Sequence, residues 1–148
     1  MKTEENRETR RNGTAYDLYV GYEYLYLCDE KNPEEVLLRF KQEMDNGLCI
    51  SAVTLAELEF GMEYSSNPAR NEQALIRFLV PLTVLPFDAA AATEYGKIRA
   101  YLQKKGTLIG ALDMLIAAHA RAEGLILVTN NVREFERVPE LQIENWVG

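Results

Sequence analysis

Residues 110–131, GALDMLIAAHARAEGLILVTNN, decide how this chain is read. An apolar helical pattern from Ala111 to Glu123 closes at Gly124, a residue suited to the left-handed turn that ends many helices. The apolar run Leu125-Ile-Leu-Val-Thr129 follows at once. Continuous runs of that length mark strands buried on both faces, as in parallel sheets. Strand-like and helical segments alternate in the same way outward from this unit. Leu48-Cys-Ile-Ser51 and Leu82-Thr-Val-Leu-Pro-Phe87 are further buried strands, and a short last one fits Leu141 to Trp146. Helical patterns lie at Thr54 to Tyr64, Pro68 to Val80 and Ala89 to Lys105. Asn32-Pro33-Glu34-Glu35 opens another helix, with Asn as N-cap, Pro at the first helical position and acids facing the dipole. Val36, Leu37 and Phe40 supply its apolar face, and it ends near Asn46-Gly47. The alternation predicts an α/β sandwich in which helices flank a central, mainly parallel sheet.

The chain has 148 residues, 23 acids against 16 Lys and Arg, and a net charge of −7. That length fits one domain, and 47% hydrophobic residues suffice for a core. An acidic chain does not hold nucleic acid through bulk positive charge, so a nucleic-acid substrate requires metal ions or a local basic patch. One His and two Cys cannot build a zinc finger, and Cys28 and Cys49 are too far apart for a CxxC pair. Lone thiols point to a reducing cytoplasm. No run reaches the roughly 20 apolar residues of a membrane span, and the polar start, residues 1–14, reads as a disordered tail without a signal peptide.

In open α/β sheets ligands bind beyond the carboxyl ends of the strands, which directs attention to the residues after each one. Glu57 follows the strand ending at Ser51, though Thr54-Leu-Ala-Glu57 also matches a capping box, in which the acid only returns a hydrogen bond to the helix start. Asp113 is the sole charge between Lys105 and Arg121. A carboxylate in so apolar a segment is costly unless paired or bound to a metal, but a first-turn acid also gains about 0.3–1 kcal/mol from the helix dipole. His119, six residues on, is offset from Asp113 around the helix and reads as a core or surface residue rather than a base. Thr129 and Asn131, in the turn after the Leu125 strand, are placed to support an acidic site, or form a plain Asn-rich turn. Lys97, Arg99, Lys104 and Lys105 form either a basic strip on one helix or a solvated face.

These segments carry a resemblance. Residues 51–71 (SAVTLAELEFGMEYSSNPARN), residues 106–141 and the closing ENW resemble PIN-domain ribonucleases, in particular VapC-type toxins of bacterial toxin–antitoxin pairs, and among them the enzymes that cut initiator tRNA. The resemblance spans about residues 32–148 and implies a PIN-like three-layer sandwich. It also implies a homodimer neutralised by a VapB-type antitoxin, with no membrane partner. The implied activity is metal-assisted hydrolysis of RNA, with tRNA as substrate. Mg²⁺ or Mn²⁺, hard cations that prefer oxygen ligands, would activate water and neutralise charge on the scissile phosphate. By this resemblance Asp113 is a direct metal ligand and Glu57 a second acid. Thr129 supports the site, and Asn131 stands where many relatives carry a further acid.

One departure follows from the same resemblance. The family's first strand ends in a Leu-Asp-Thr-Asn motif whose Asp is a principal ligand; the corresponding position here is Gly21, within Val20-Gly-Tyr-Glu-Tyr24. Allowed codons for residues 16–31, read one nucleotide on, spell MIYMLDTNICIYVMRK, the start such a protein would have. Residues 1–31 therefore read as an aberrant, out-of-frame segment, and residues 32–148 as a PIN domain lacking its native first strand. As written the chain is expected to be inactive or impaired. The competing reading is a catalytically dead PIN-like module that binds an antitoxin or partner subunits.

Overall fold

The computed structural model describes residues 18–20, 38, 42–43 and 47–146. Five strands, β1 (Leu18–Val20), β2 (Leu48–Ser51), β3 (Leu82–Leu85), β4 (Ile126–Val128) and β5 (Ile143–Glu144), form one sheet in the order β3-β2-β1-β4-β5. Every pairing is parallel, with Leu18 opposite both Leu48 and Ile126, Leu48 opposite Leu82, and Leu127 opposite Ile143. Five helices join these strands among the described residues: α1 (Ala52–Tyr64), α2 (Pro68–Leu79), α3 (Ala89–Lys105), α4 (Ala111–Glu123) and the short α5 (Val132–Phe135). The aromatic-rich run Ala15 to Cys28, whose composition predicts a strand, supplies β1 at residues 18–20; its other residues, the expected tail and the Asn32 helix lie outside the described residues, apart from Leu38, Gln42 and Glu43, which are helical.

Side chains alternate across a strand, and here both faces are buried, which explains the unbroken apolar runs. Leu48, Ile50, Ile126 and Val128 pack on one face with Leu58 of α1, joined by Leu75, Phe78 and Leu79 of α2. Cys49 and Leu127 face the other way, toward Ile98 and Leu102 of α3, Ile116, Ala117 and Ala120 of α4, and Phe135. Two apolar cores thus sandwich the sheet between helical layers, as the alternation of segments predicts and as the three-layer form implied by the resemblance requires. Burial pushes the Cys49 thiol up to about 12, with Glu123 adding to the effect.

Helix ends follow local chemistry. Asp88 caps α3 by accepting from the Ala91 N–H at 3.0 Å. Gly106 and Gly124 close α3 and α4 at φ 68° and 65°, the left-handed region that favours glycine. The start of α1 departs from expectation. Ser51, not Thr54, is its N-cap, accepting from the Val53 N–H at 3.0 Å, so Thr54 is a buried residue of the first turn.

Candidate functional site

Parallel strands bring all their carboxyl ends to one edge of the sheet. From β1 the chain moves outward one way through β2 and β3, then returns to the other side for β4 and β5. The strand order therefore reverses between β1 and β4, and the crevice outside such a reversal is where α/β sheets bind ligands. Thr129, Asn130 and Asn131 follow β4 directly, and the residue that follows β1 in the sequence is Gly21.

Each acid predicted from the sequence sits on an element that begins at this edge. β2 runs without a loop into α1, which carries Glu57, half-buried, in its second turn. Since the helix starts at Ala52, Glu57 is six residues beyond the Ser51 cap and cannot close a capping box with Thr54. α4 must run against the strand direction, because Gly124 and Leu125 alone join it to β4. Its first turn, with Asp113, therefore stands at the carboxyl edge. Asp113 is half-buried and faces the helix dipole, and its N-cap is Gly110, which brings no side chain of its own. A Cβ at Gly110 would lie 3.4 Å from Asp113 Oδ2, which places that carboxylate beside the start of the helix.

Thr129 and Asn131 act as a unit. Thr129 is fully buried, its N–H donating to the Glu144 carbonyl at 3.0 Å. Its Oγ1 accepts from the Asn131 N–H at 3.0 Å, which fixes the turn into α5. Asn131 is the N-cap of α5 but gives that helix no side-chain hydrogen bond, so its amide is not committed there.

His119 is a core residue, as its position on the helix suggested. It is fully buried, with Nδ1 2.7 Å from Ser51 Oγ and Phe87 edge-on at 5.5 Å. Burial lowers its pKa below 6.5, against an opposing pull from Asp88. The pairing of His119 with Ser51 ties α4 to the start of α1, a link that sequence spacing alone does not reveal. Glu144, which ends β5 at the same edge, carries no motif in the sequence to mark it; its carboxylate accepts from Trp146 Nε1 at 3.2 Å. The proposed basic strip divides: Lys97 pairs with Glu94 at 3.6 Å, Arg99 donates to the Tyr95 hydroxyl at 3.0 Å, and Lys104 and Lys105 stand in the last turn of α3.

The donors suit a hard cation in kind, being carboxylate, amide and hydroxyl oxygens. They fall short in number: among the described residues no three His, Cys, Asp or Glu side chains come together in a group able to hold a metal ion. No described helix is long and apolar enough to cross a membrane.

Comparison with known proteins points one way. Residues 23–141 match the PIN domain family. The chain is 50% identical over 118 residues to Ribonuclease VapC2 of Haemophilus influenzae, covering 80% of this chain and 89% of that protein. It is 45% identical over 117 residues to the tRNA(fMet)-specific endonuclease VapC of Salmonella typhimurium, covering 79% and 88%. Among solved structures, the DNA-bound VapBC of Salmonella typhimurium superposes with a TM-score of 0.85 at 40% identity, covering 89% of this chain and 99% of that one. VapBC2 of Rickettsia felis, bound to a promoter DNA fragment, gives 0.84 at 36% identity, covering 88% and 98%.

Proposed function

The chain belongs to the PIN-domain family, and from that premise we propose that it is a toxin-type endoribonuclease of a VapBC pair, built to cut tRNA and held in check by a VapB-type antitoxin. The observation that carries this reading is the arrangement at the strand-order reversal. Asp113 enters on the first turn of α4, Glu57 on the helix after β2, and the Thr129–Asn131 turn on β4, all from the carboxyl edge. Relatives at 45–50% identity are named as ribonucleases or as endonucleases specific for tRNA(fMet). Two carboxylates and an amide oxygen at one edge are groups that hold a divalent cation against a phosphodiester, and such a cation, Mg²⁺ or Mn²⁺, supplies water activation and charge neutralisation. The protein works in the cytoplasm as a homodimer.

The site of this particular chain is one carboxylate short. The residue directly after β1 in the sequence is Gly21 rather than an acid, and among the described residues no three acids form a group able to hold a metal ion. The out-of-frame reading of residues 1–31 accounts for this. The family match begins at residue 23, beyond β1, and takes in residues 23–31 of that segment. β1, which lies before that match, is on this reading filled by residues foreign to the family. Nucleotide sequence tests this directly: codons across Gly21 to Glu23 that cannot be read as GAT ACN AAT one nucleotide on would exclude it. Because the missing acid is specific to metal chemistry, a catalytically dead module that binds antitoxin remains the second reading. Cleavage of tRNA in Mg²⁺ separates the two. The chain with residues 16–31 replaced by MIYMLDTNICIYVMRK should cut, Asp113→Asn or Glu57→Gln should stop it, and cleavage indifferent to both substitutions would refute the assignment of the site.

A further inference from the structure

We propose that the tip of the α3–α4 hairpin is a phosphate-binding rim that receives the RNA backbone beside the carboxylates, with Lys104 and Lys105 as its contacting cations. The inference rests on the ribonuclease reading and adds to it where the substrate's backbone lies. In a chain of net charge −7, the eighteen residues from Tyr95 to Leu112 contain four cations and no acid. Two of the four are engaged, Lys97 by Glu94 and Arg99 by the Tyr95 hydroxyl. Lys104 and Lys105 are exposed and form no ion pair with any described residue.

Their place in the fold makes this asymmetry relevant to the site. Glu94, near the start of α3, binds Arg121, near the end of α4, so the two helices run antiparallel. The opposite end of the hairpin then holds Lys104, Lys105, the 106–110 turn and Asp113. That turn is well tied. The Thr107 N–H donates to the Leu102 carbonyl at 2.9 Å, Gly106 takes the left-handed conformation, and Arg137 Nη1 donates to the Leu108 carbonyl at 3.3 Å. Lys105 Nζ lies 4.8 Å from the centre of the Tyr101 ring, and both Tyr101 and Leu108 are more than a third exposed. Cations beside an exposed aromatic ring on a fixed turn are the combination that holds single-stranded nucleic acid by phosphate contact and base stacking.

Two other roles are available to these side chains and surfaces. Cations in a last turn also complement the helix dipole, a role that affects stability and not RNA binding. A second basic surface, lined by Asn67, Arg70, Asn71 and Arg77, lies along α2. α2 packs on the opposite face of the sheet from α4, which makes that surface a less suitable companion for Asp113.

The test is fluorescence anisotropy of labelled initiator tRNA with the full chain in EDTA, so that no strand is cut, titrated with NaCl. The Lys104→Gln/Lys105→Gln variant should reduce the slope of log affinity against log salt by about 1.4–1.8, the loss of two phosphate contacts. Arg70→Gln/Arg77→Gln should leave the slope unchanged. A parent slope retained by the tip variant, or lost with the α2 variant instead, overturns the rim and leaves the ribonuclease reading standing. A parent chain that binds no tRNA in EDTA overturns the rim as well, and one that still binds none when Mn²⁺ replaces EDTA overturns the ribonuclease reading too.

Discussion

β1 and β2 lie side by side in the middle of the sheet, parallel and in register, and their carboxyl ends differ in chemistry. β2 ends on Ser51, which caps α1 and contacts His119, so the element that carries Glu57 is fixed from two sides. β1 ends on Val20, and the next residue, Gly21, brings no side chain at all. β2 thus leads straight into a helix that carries an acid, whereas β1 is followed in the sequence by a glycine at the matching position. The lesson is that backbone architecture and site chemistry are separable: a central strand can be satisfied by any three residues that pair, whereas a metal site needs a particular carboxylate.

The strongest way to break this comparison is to supply the missing acid. The start MIYMLDTNICIYVMRK in place of residues 16–31 should raise tRNA cleavage in Mg²⁺ by on the order of 100-fold or more, since even residues behind a metal's direct ligands are worth 10–100-fold. Rates that stay equal would show that β1 lacks nothing. In that restored background Asp113→Asn should remove the gain entirely. Its effect on unfolding free energy should be no more than about 0.3–1 kcal/mol, the value of a first-turn acid facing the dipole. A larger loss of stability with activity retained would return Asp113 to a structural role.

Smaller effects sharpen the β2 side. Ser51→Ala removes the α1 cap and should cost about 0.5–2 kcal/mol in denaturant unfolding, whereas a cost confined to Thr54→Ala would restore the capping box. His119 should make stability pH-dependent. Its folded pKa is below the ordinary 6.5 because burial disfavours the charged form, so the unfolded chain takes up the proton first. Stability should hold above about pH 6.5 and fall as pH drops from there toward the folded value. His119→Gln should flatten that part of the curve, read by urea melts between pH 7 and pH 5.

Much of this architecture is legible in the residues themselves. α3 and α4 match the predicted ranges because Asp88, Gly106 and Gly124 punctuate them, and β2 matches because four consecutive buried positions leave one reading. α1 begins two residues before the predicted Thr54, since Ser51 at the strand end caps first. α5 is indistinguishable from a turn in the sequence, because four residues without a side-chain cap give no periodic signal. Asp113 stands out as an isolated charge in an apolar helix. The partnership of Ser51 with His119, 68 positions apart in sequence, and the division of the α3 cations between paired and unpaired members depend on tertiary packing and were not legible.

The most direct measurement of the central claim is Mn²⁺ binding by calorimetry to this chain and to the chain carrying the restored start. The account predicts that the restored chain binds at least 10–100-fold more tightly, and that Asp113→Asn removes the difference. Equal affinities in the two chains would contradict it.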